Sequence, residues 1–409
     1  NLTVFGRYSF ADFDLAGRGV FDTSGVAVGG RGIGLNGFGA QSQTRNHSLA
    51  AGFNYTLSPN WLTDFRFGYF KYRVMVNPNG LGTTPATDVG IPGLNLGDDF
   101  TSGMPAFFLD GGVDMEWGYA LSDRLNRCNC PLDQNEDQFQ FVNNWINIRG
   151  NHQIKFGADI RYARNLRVPS DQHRAGQLTF RAAGTGTFTV GPGFTGGTTD
   201  GLGLATFLLG NVNFFNRYVS PVTNAGERQK RWFFYGQDTW RITPKLTLNY
   251  GLRWEIYFPQ SVTCDGCGGF LDTRTGEIRV AGIGPIDRDM NVDNTFTNFA
   301  PRIGIAYELT PKMVVRLGYG RSYDIGVFGS IFGHSVTQNL PVLATQEVFG
   351  PNKFNFETAF TLAAGPPTFN FATVCNVDTS TGRCALSETF ASFVQPEKMR
   401  LGHVDAWNA

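Results

Sequence analysis

The sequence predicts an all-β protein, an antiparallel transmembrane β-barrel of which roughly a dozen strands are present. Three observations carry this reading. Apolar residues alternate with polar or small ones in run after run, the period of two that strands show. Very short turns and very long loops take turns in joining these runs. Composition agrees: there are 52 glycines, 37 phenylalanines and only 17% charged residues.

The clearest run is 298–324. Ile303, Ile305, Tyr307 and Leu309 alternate with Arg302, Gly304 and Glu308, and beyond Thr310-Pro311-Lys312 the residues Met313, Val315, Leu317 and Tyr319 alternate with Arg316 and Gly318. Folding about Pro311 sets Leu309 against Met313, Tyr307 against Val315 and Ile305 against Leu317. In chain order, Leu2, Val4, Tyr8 and Phe10 begin the first strand. A Gly-rich loop at 17–43 follows; its string GIGLNG (32–37) has the letters of a dinucleotide motif without the flanking strand and helix that motif needs. The hairpin of 47–58 and 61–76 bends at Ser58-Pro59-Asn60, pairing Leu57 with Trp61, Phe53 with Phe65 and Leu49 with Tyr69.

Segment 77–136 is long and irregular, so it is expected to be functional or disordered. Strands 139–149 and 152–165 meet at Gly150-Asn151, with Ile146, Ile148, Ile154, Phe156 and Ile160 assigned to one face and Lys155, Asp159 and Arg161 to the other. A strand is expected at 177–190, a helical or tight apolar turn at 203–210 and a strand at 211–223. The next hairpin, 231–242 and 246–258, bends at Thr243-Pro244-Lys245. Its apolar set is Leu246, Leu248, Tyr250, Leu252, Trp254 and Ile256. Asp238 breaks the pattern by falling with Trp240 and Ile242, which a bulge or a place at the membrane edge would explain. A long loop covers 259–294, and after 325 only 353–362 reads as a strand. Pro301 has no free edge in a barrel, so a bulge or strand end is expected there.

Short turns sorted to one end and long loops to the other are what an outer-membrane barrel shows, so the apolar stripe faces lipid and the charged stripe the lumen. The lumen-facing candidates are Asp64, Arg66, Lys155, Asp159, Arg161, Arg253, Glu255, Arg302, Glu308 and Arg316. Trp61, Tyr55, Trp240 and Tyr307 lie beside the turns and fit an interfacial girdle. Lys plus Arg and Asp plus Glu each number 34, so no basic field exists to hold nucleic acid. No apolar run is long enough for a transmembrane helix.

All six cysteines fall in loops of the outer, oxidising side and none in a strand, which makes Cys128 with Cys130, Cys264 with Cys267 and Cys375 with Cys384 disulfide candidates. A zinc site from CNC and CDGC is the alternative, without the paired spacing such a site needs. Asp287, Asp289, Asn291 and Asp293 imitate the start of a calcium loop, yet Val292 and Asn298 stand where Gly and Glu belong. His47, His152, His173, His334 and His403 are scattered, with no catalytic or ligand spacing. No enzyme activity and no cofactor are expected. Asn1 already lies inside an alternating pattern, so 1–409 is expected to be an internal fragment of a barrel domain, without signal peptide.

The strings FFYGQDTWRITPKLTLNYGLRWE, HQIKFGADIRYARN, GLATFLLG and NFAPRIGIAYELTPKMVVRLGYGRSYD resemble the barrel of TonB-dependent outer-membrane receptors, most closely the Oar-like branch. The resemblance implies a barrel of about twenty-two strands around a plug, and the plug is not in this sequence. It also implies contact with outer-membrane lipid, a TonB complex as partner, and import of a large or scarce substrate bound by the outer loops: an oligosaccharide, peptide or chelate. A surface protein for adhesion or matrix assembly on the same barrel is the alternative, and a soluble lectin-like sandwich a third.

Overall fold

The computed structural model describes residues 1–18, 39–110, 115–117, 131–167, 174–186, 201–324, 339–354, 356–386, 394 and 397–409. The GIGLNG string, Cys128, Cys130, His173 and His334 lie outside them. Three strands open the chain: β1 (Leu2–Ala16), β2 (Ala40–Ser58) and β3 (Trp61–Pro78). After a helical turn at Pro85–Asp88 come the short β4 (Ala106–Leu109) and β5 (Met115–Trp117), then the long β6 (Leu132–Arg149) and β7 (His152–Arg167). β8 (Gln177–Phe180), a helix at Gly203–Leu208, β9 (Asn211–Val212) and β10 (Phe214–Val219) precede the long pair β11 (Gly226–Thr243) and β12 (Leu246–Tyr257). β13 (Ser261–Val262), β14 (Gly269–Asp272) and β15 (Glu277–Val280) lead into β16 (Phe299–Thr310) and β17 (Met313–Asp324). β18 (Ala344–Phe349), β19 (Phe360–Thr361), β20 (Arg383–Ala385) and β21 (Gly402–Asn408) follow.

One antiparallel sheet organises the chain, in the order β1-β2-β3-β6-β7-β11-β12-β16-β17-β21, with β13 paired to β11 beside that path. Neighbours in the sheet are neighbours in sequence once the long insertions are skipped, the up-and-down path of a barrel wall. β2 has 19 residues and β3, β6 and β11 have 18 each. About ten suffice to cross a bilayer, and the short turns sit at one end. The excess length therefore stands above the membrane, on the side of the long loops.

Three of the short turns share one construction. Pro59-Asn60, Pro244-Lys245 and Pro311-Lys312 are the two-residue tips, flanked by the pairs Ser58–Trp61, Thr243–Leu246 and Thr310–Met313. In each, the next residue back, Leu57, Ile242 or Leu309, is bulged out of register. The hydroxyls of Ser58, Thr243 and Thr310 accept from the backbone N–H two residues on, at 3.3–3.4 Å, a local turn that Pro at its first corner presets. The expected pairs Leu57–Trp61 and Leu309–Met313 are therefore replaced. Phe53–Phe65, Leu49–Tyr69, Tyr307–Val315 and Ile305–Leu317 stand as expected, because the bulge restores the register above it.

The fourth turn, Gly150-Asn151, has no bulge: Arg149 pairs with His152, Ile148 with Gln153 and Ile146 with Lys155. A two-residue turn without a bulge pairs odd numbers with even ones. Ile146 and Ile148 thus lie on the face of Lys155, not that of Ile154, and Trp145, Asn143 and Phe141 take the lipid side. Gly150 makes this turn with φ of 59°, a conformation that glycine adopts without strain.

Asp238 stands in unbroken register between Ile154 and Tyr250, so no bulge relieves it. Instead its Oδ2 lies 2.6 Å from His152 Nδ1 and accepts from the Tyr250 hydroxyl at 3.0 Å. Pro301 likewise sits in a regular ladder opposite Leu252, without a bulge, whereas pairing of β16 with β17 stops at Arg302–Gly320. β16 runs on to Phe299, so the expected bulge or strand end at Pro301 is not found; the proline is accommodated because the β17 flank is already unpaired there.

The outer insertions build secondary structure of their own. β18, β10, β8, β4 and β5 form one sheet, in which β4 and β8 run parallel, and β14, β15 and β20 form another. Phe107, Leu109, Leu178, Phe180, Val212, Phe215 and Phe360 close one apolar core, and Ile278, Val280, Leu340 and Val374 another with Cys375 and Cys384. Within this outer head the described parts of 77–136, expected as irregular, thus include β4 and β5, and the segment 259–294, expected as a long loop, includes β13, β14 and β15. Of the strand expected at 177–190 the structure has Gln177–Phe180, then a 3-10 turn at Ala182–Thr185. Of that at 353–362 only Phe360–Thr361 is a strand, while Ala344–Phe349 is one that the sequence did not announce.

Candidate functional site

Cross-strand register places all ten lumen candidates on one face. One row runs Arg66, Val142, Asp159, Phe233, Glu255 across β3, β6, β7, β11 and β12. The row below runs Asp64, Asn144, Gly157, Tyr235, Arg253, and the next Leu62, Ile146, Lys155, Gln237, Gly251, Arg302. Glu308 and Arg316 follow on β16 and β17, beside Ala306 in the same stripe.

Four of the ten come together at the top of this wall. Arg161 grips Asp159 with Nη2 at 2.7 Å and Nε at 3.1 and 3.2 Å from its two oxygens. Arg253 lies 2.9 Å from Glu255 and 3.9 Å from Asp159. Gln140 donates to Asp159 at 3.0 Å, and the Tyr257 hydroxyl to Glu255 at 3.2 Å. Both guanidiniums lie over the ring of Phe233, at 5.3 and 4.5 Å from its centroid, where the ring's negative face attracts them. Asp159, Glu255 and Phe233 are 8%, 5% and 3% exposed, whereas the Arg161 and Arg253 side chains keep 41% and 27% of their surface, so buried carboxylates are compensated by guanidiniums that still reach water.

The cover comes from the head. Phe233 and Tyr257 share a core with Cys267, Phe270, Met290, Val342 and Met399, so the outer insertions pack onto the upper lumen wall. Neither Phe233 nor Tyr257 was marked by the sequence, although both fall on the polar parity of their strands. Cys264 is joined to Cys267 and Cys375 to Cys384. Cys384 lies within β20, contrary to the expectation that no cysteine occupies a strand.

The remaining candidates are held differently. Asp64 accepts from Asn144 at 2.9 Å, and Arg66 donates to the Phe53 and Phe65 carbonyls and to Asn54. Among the described residues, Lys155, Arg302, Glu308 and Arg316 have no ion-pair partner. Arg302 borders a shallow recess with Tyr235, Gln237, Gly251 and Arg253, leaving donors turned toward the lumen. Two members of the Asp287–Asp293 run spend an oxygen on its own turn: Asn291 Oδ1 accepts from the Asp287 N–H at 2.8 Å and Asp289 Oδ1 from the Asn291 N–H at 3.1 Å. Among the described residues, no three His, Cys, Asp or Glu side chains are grouped to hold a metal ion.

A deeper ion network ties the head itself. Arg279, 5% exposed, donates to Asp272 Oδ2 through Nε at 2.9 Å and Nη2 at 2.7 Å, and to Glu397 at 3.0 Å. Arg383 reaches the same Asp272 oxygen at 3.2 Å. Burial alone would raise the Asp272 carboxyl. Its hydrogen bonds from Arg279, the Arg274 N–H and Arg383 outweigh that and hold it at about 2.

No curated protein matches the sequence. Among solved structures, the chain is similar to the siderophore receptor PiuA of Acinetobacter baumannii, at 13% identity and a TM-score of 0.38, over 79% of this chain and 40% of that one. The ferric-catecholate import receptor Fiu of E. coli K12 follows at 11% identity and 0.37, over 85% and 45%. The alcaligin outer-membrane receptor FauA of Bordetella pertussis is at 9% and 0.21, over 79% and 43%. The chain thus spans less than half the length of each, and likeness so slight bears no argument. The family match is of another order: residues 1–409 fit the outer membrane beta barrel domain from end to end. The chain belongs to that family, and its place is the bacterial outer membrane.

Proposed function

We propose that this chain is part of the barrel wall of a TonB-dependent receptor, of the Oar-like kind, which captures a large or scarce substrate with its outer head and imports it. The observation that carries the reading is the head's attachment to the lumen. A pore for free diffusion wants an open mouth, whereas here Phe270, Met290 and Val342 of the head share a core with Phe233 and Tyr257 of the wall. A head packed on the lumen face of the wall would have to be displaced for a substrate to pass, and an energised receptor receives that drive from its partner. The string resemblance given above points the same way.

The test is uptake in intact cells of the oligosaccharide, peptide or chelate that the purified full-length protein retains. Surface capture is expected to persist, and accumulation to stop, when the proton-motive force is collapsed. Accumulation that continues unchanged would sink the proposal. Capture without accumulation under any condition would instead assign the barrel to adhesion.

A further inference from the structure

Further up the stripe that carries Phe233 lies a polar row that the lumen candidates do not use. Glu136 of β6, Asn165 of β7 and Glu227 of β11 stand in line, and Val262 of β13 closes the row. All three polar residues are buried, Glu227 to 1% exposed and Asn165 to 4%. Val262 belongs to the core that head and wall share, so the row ends beneath the head. Two carboxylates out of water need compensation.

What the protein itself supplies falls short. Asn165 donates through Nδ2 to Glu227 Oε1 at 3.2 Å, and Gln138 donates to Glu136 Oε1. The second oxygen of Glu227 and the side-chain oxygen of Asn165, both shut off from solvent, have no hydrogen-bond partner. Arg231, lower on the stripe, eases the charge of Glu136 but not that of Glu227. Burial, against the Asn165 hydrogen bond and helped by the charge of Glu136, pushes the Glu227 carboxyl up to about 7. Gln260, fully buried one residue before β13, falls in line with Gln229 beside this row, and both its amide atoms lack a partner.

We propose that Glu227, Glu136 and the side-chain oxygens of Asn165 and Gln260 form a binding site for one hard divalent cation, calcium. The orphaned atoms are chiefly oxygens, so the row lacks positive charge. Carboxylate and amide oxygens without sulfur or imidazole select a hard cation, and calcium accepts irregular geometry and sheds water more readily than magnesium. The ligands come from three wall strands and from the segment that leads into β13. A cation held by them fastens the head to the wall at a point above Phe233.

The test takes the full outer-membrane protein carrying this chain, stripped with chelator, and titrates it with calcium chloride or magnesium chloride at about pH 8, where both carboxyls are ionised. Calcium is expected to bind, magnesium to bind more weakly, and calcium to slow hydrogen exchange in 226–229 and 260–263. E227Q keeps the shape and removes the charge; it is expected to weaken calcium about a hundredfold and to abolish the slowing. E136Q is expected to weaken calcium about tenfold, and D287N with D289N, in the acidic run of the head, to change neither readout. E227Q and E136Q proteins that keep their heat-modifiable migration and bind calcium as the wild type does would overturn the proposal. Loss of binding in D287N/D289N would do the same by moving the site to the acidic run. A wild type that binds no calcium would overturn it too, and a proton would then be what serves Glu227.

Discussion

Asp238 shows how a single residue against the grain is accommodated. A carboxylate on a lipid-facing row costs roughly 2–4 kcal/mol near the midplane and less toward an interface. Here it stands five residues before Thr243 at the short-turn end and shares its Oδ2 between His152 and Tyr250. His152 is fixed in turn by stacking on Trp240, with ring centroids 5.2 Å apart. H152A should therefore destabilise the barrel by about 1–3 kcal/mol, read as a lowered urea midpoint in bilayers, and H152Q should recover part of the loss. Arg279 in the head is held in the same way but more deeply. R279A leaves Asp272 buried without its main partner, and such a loss costs about 3–5 kcal/mol, measurable as faster hydrogen exchange in β14 and β15. The Asp272 carboxyl is depressed in the folded head, so its contribution is present above the ordinary carboxyl range and disappears as pH falls through about 2. Exchange in β14 and β15 should accelerate over that interval in the wild type, and D272N should show a flatter response.

At the scale of the element, register rests on one extra residue per turn. Leu309 is the bulge that lets Tyr307 meet Val315 and Ile305 meet Leu317 above a two-residue tip. Removing it would oppose residues of unlike parity, turning Arg316 and Gly318 toward lipid or Ile303 and Ile305 toward the lumen. Deletion of Leu309 should abolish the heat-modifiable folded form, whereas L309A, which keeps the count, should assemble. The same arithmetic explains what the sequence made legible. In β16 and β17 nearly every position announces its face, so the pairings above the bulge were readable. At Gly150-Asn151 the count lacks the bulge, and hydrophobicity alone put Ile146 and Ile148 on the wrong face. Only the pairing Ile146–Lys155 reveals it.

At the scale of the molecule, the wall was legible and the head was not. Wall strands pair with near neighbours in sequence, so a local period of two suffices. The head joins Phe107, Phe180, Phe215 and Phe360 from four distant segments through strands of two to six residues, too short to show a period. The four-residue charge cluster was half visible: Asp159, Arg161, Arg253 and Glu255 could be assigned to the lumen, but the ring that gathers them could not. Phe233 belongs at once to that cluster and to the head's core, which makes it the joint between wall and cover. F233A opens a cavity in the shared core, a change worth about 3–5 kcal/mol, and strips both guanidiniums of their platform. If the head closes the lumen through this joint, exchange should rise in β14, β15 and the segment around Met290 while β2, β3 and β6 keep their protection. Segment 101–109, which belongs to the other core, should stay unchanged. Uniform loss of protection across the wall would mean that Phe233 serves barrel stability, and no change in the head would mean that the cover is held without it.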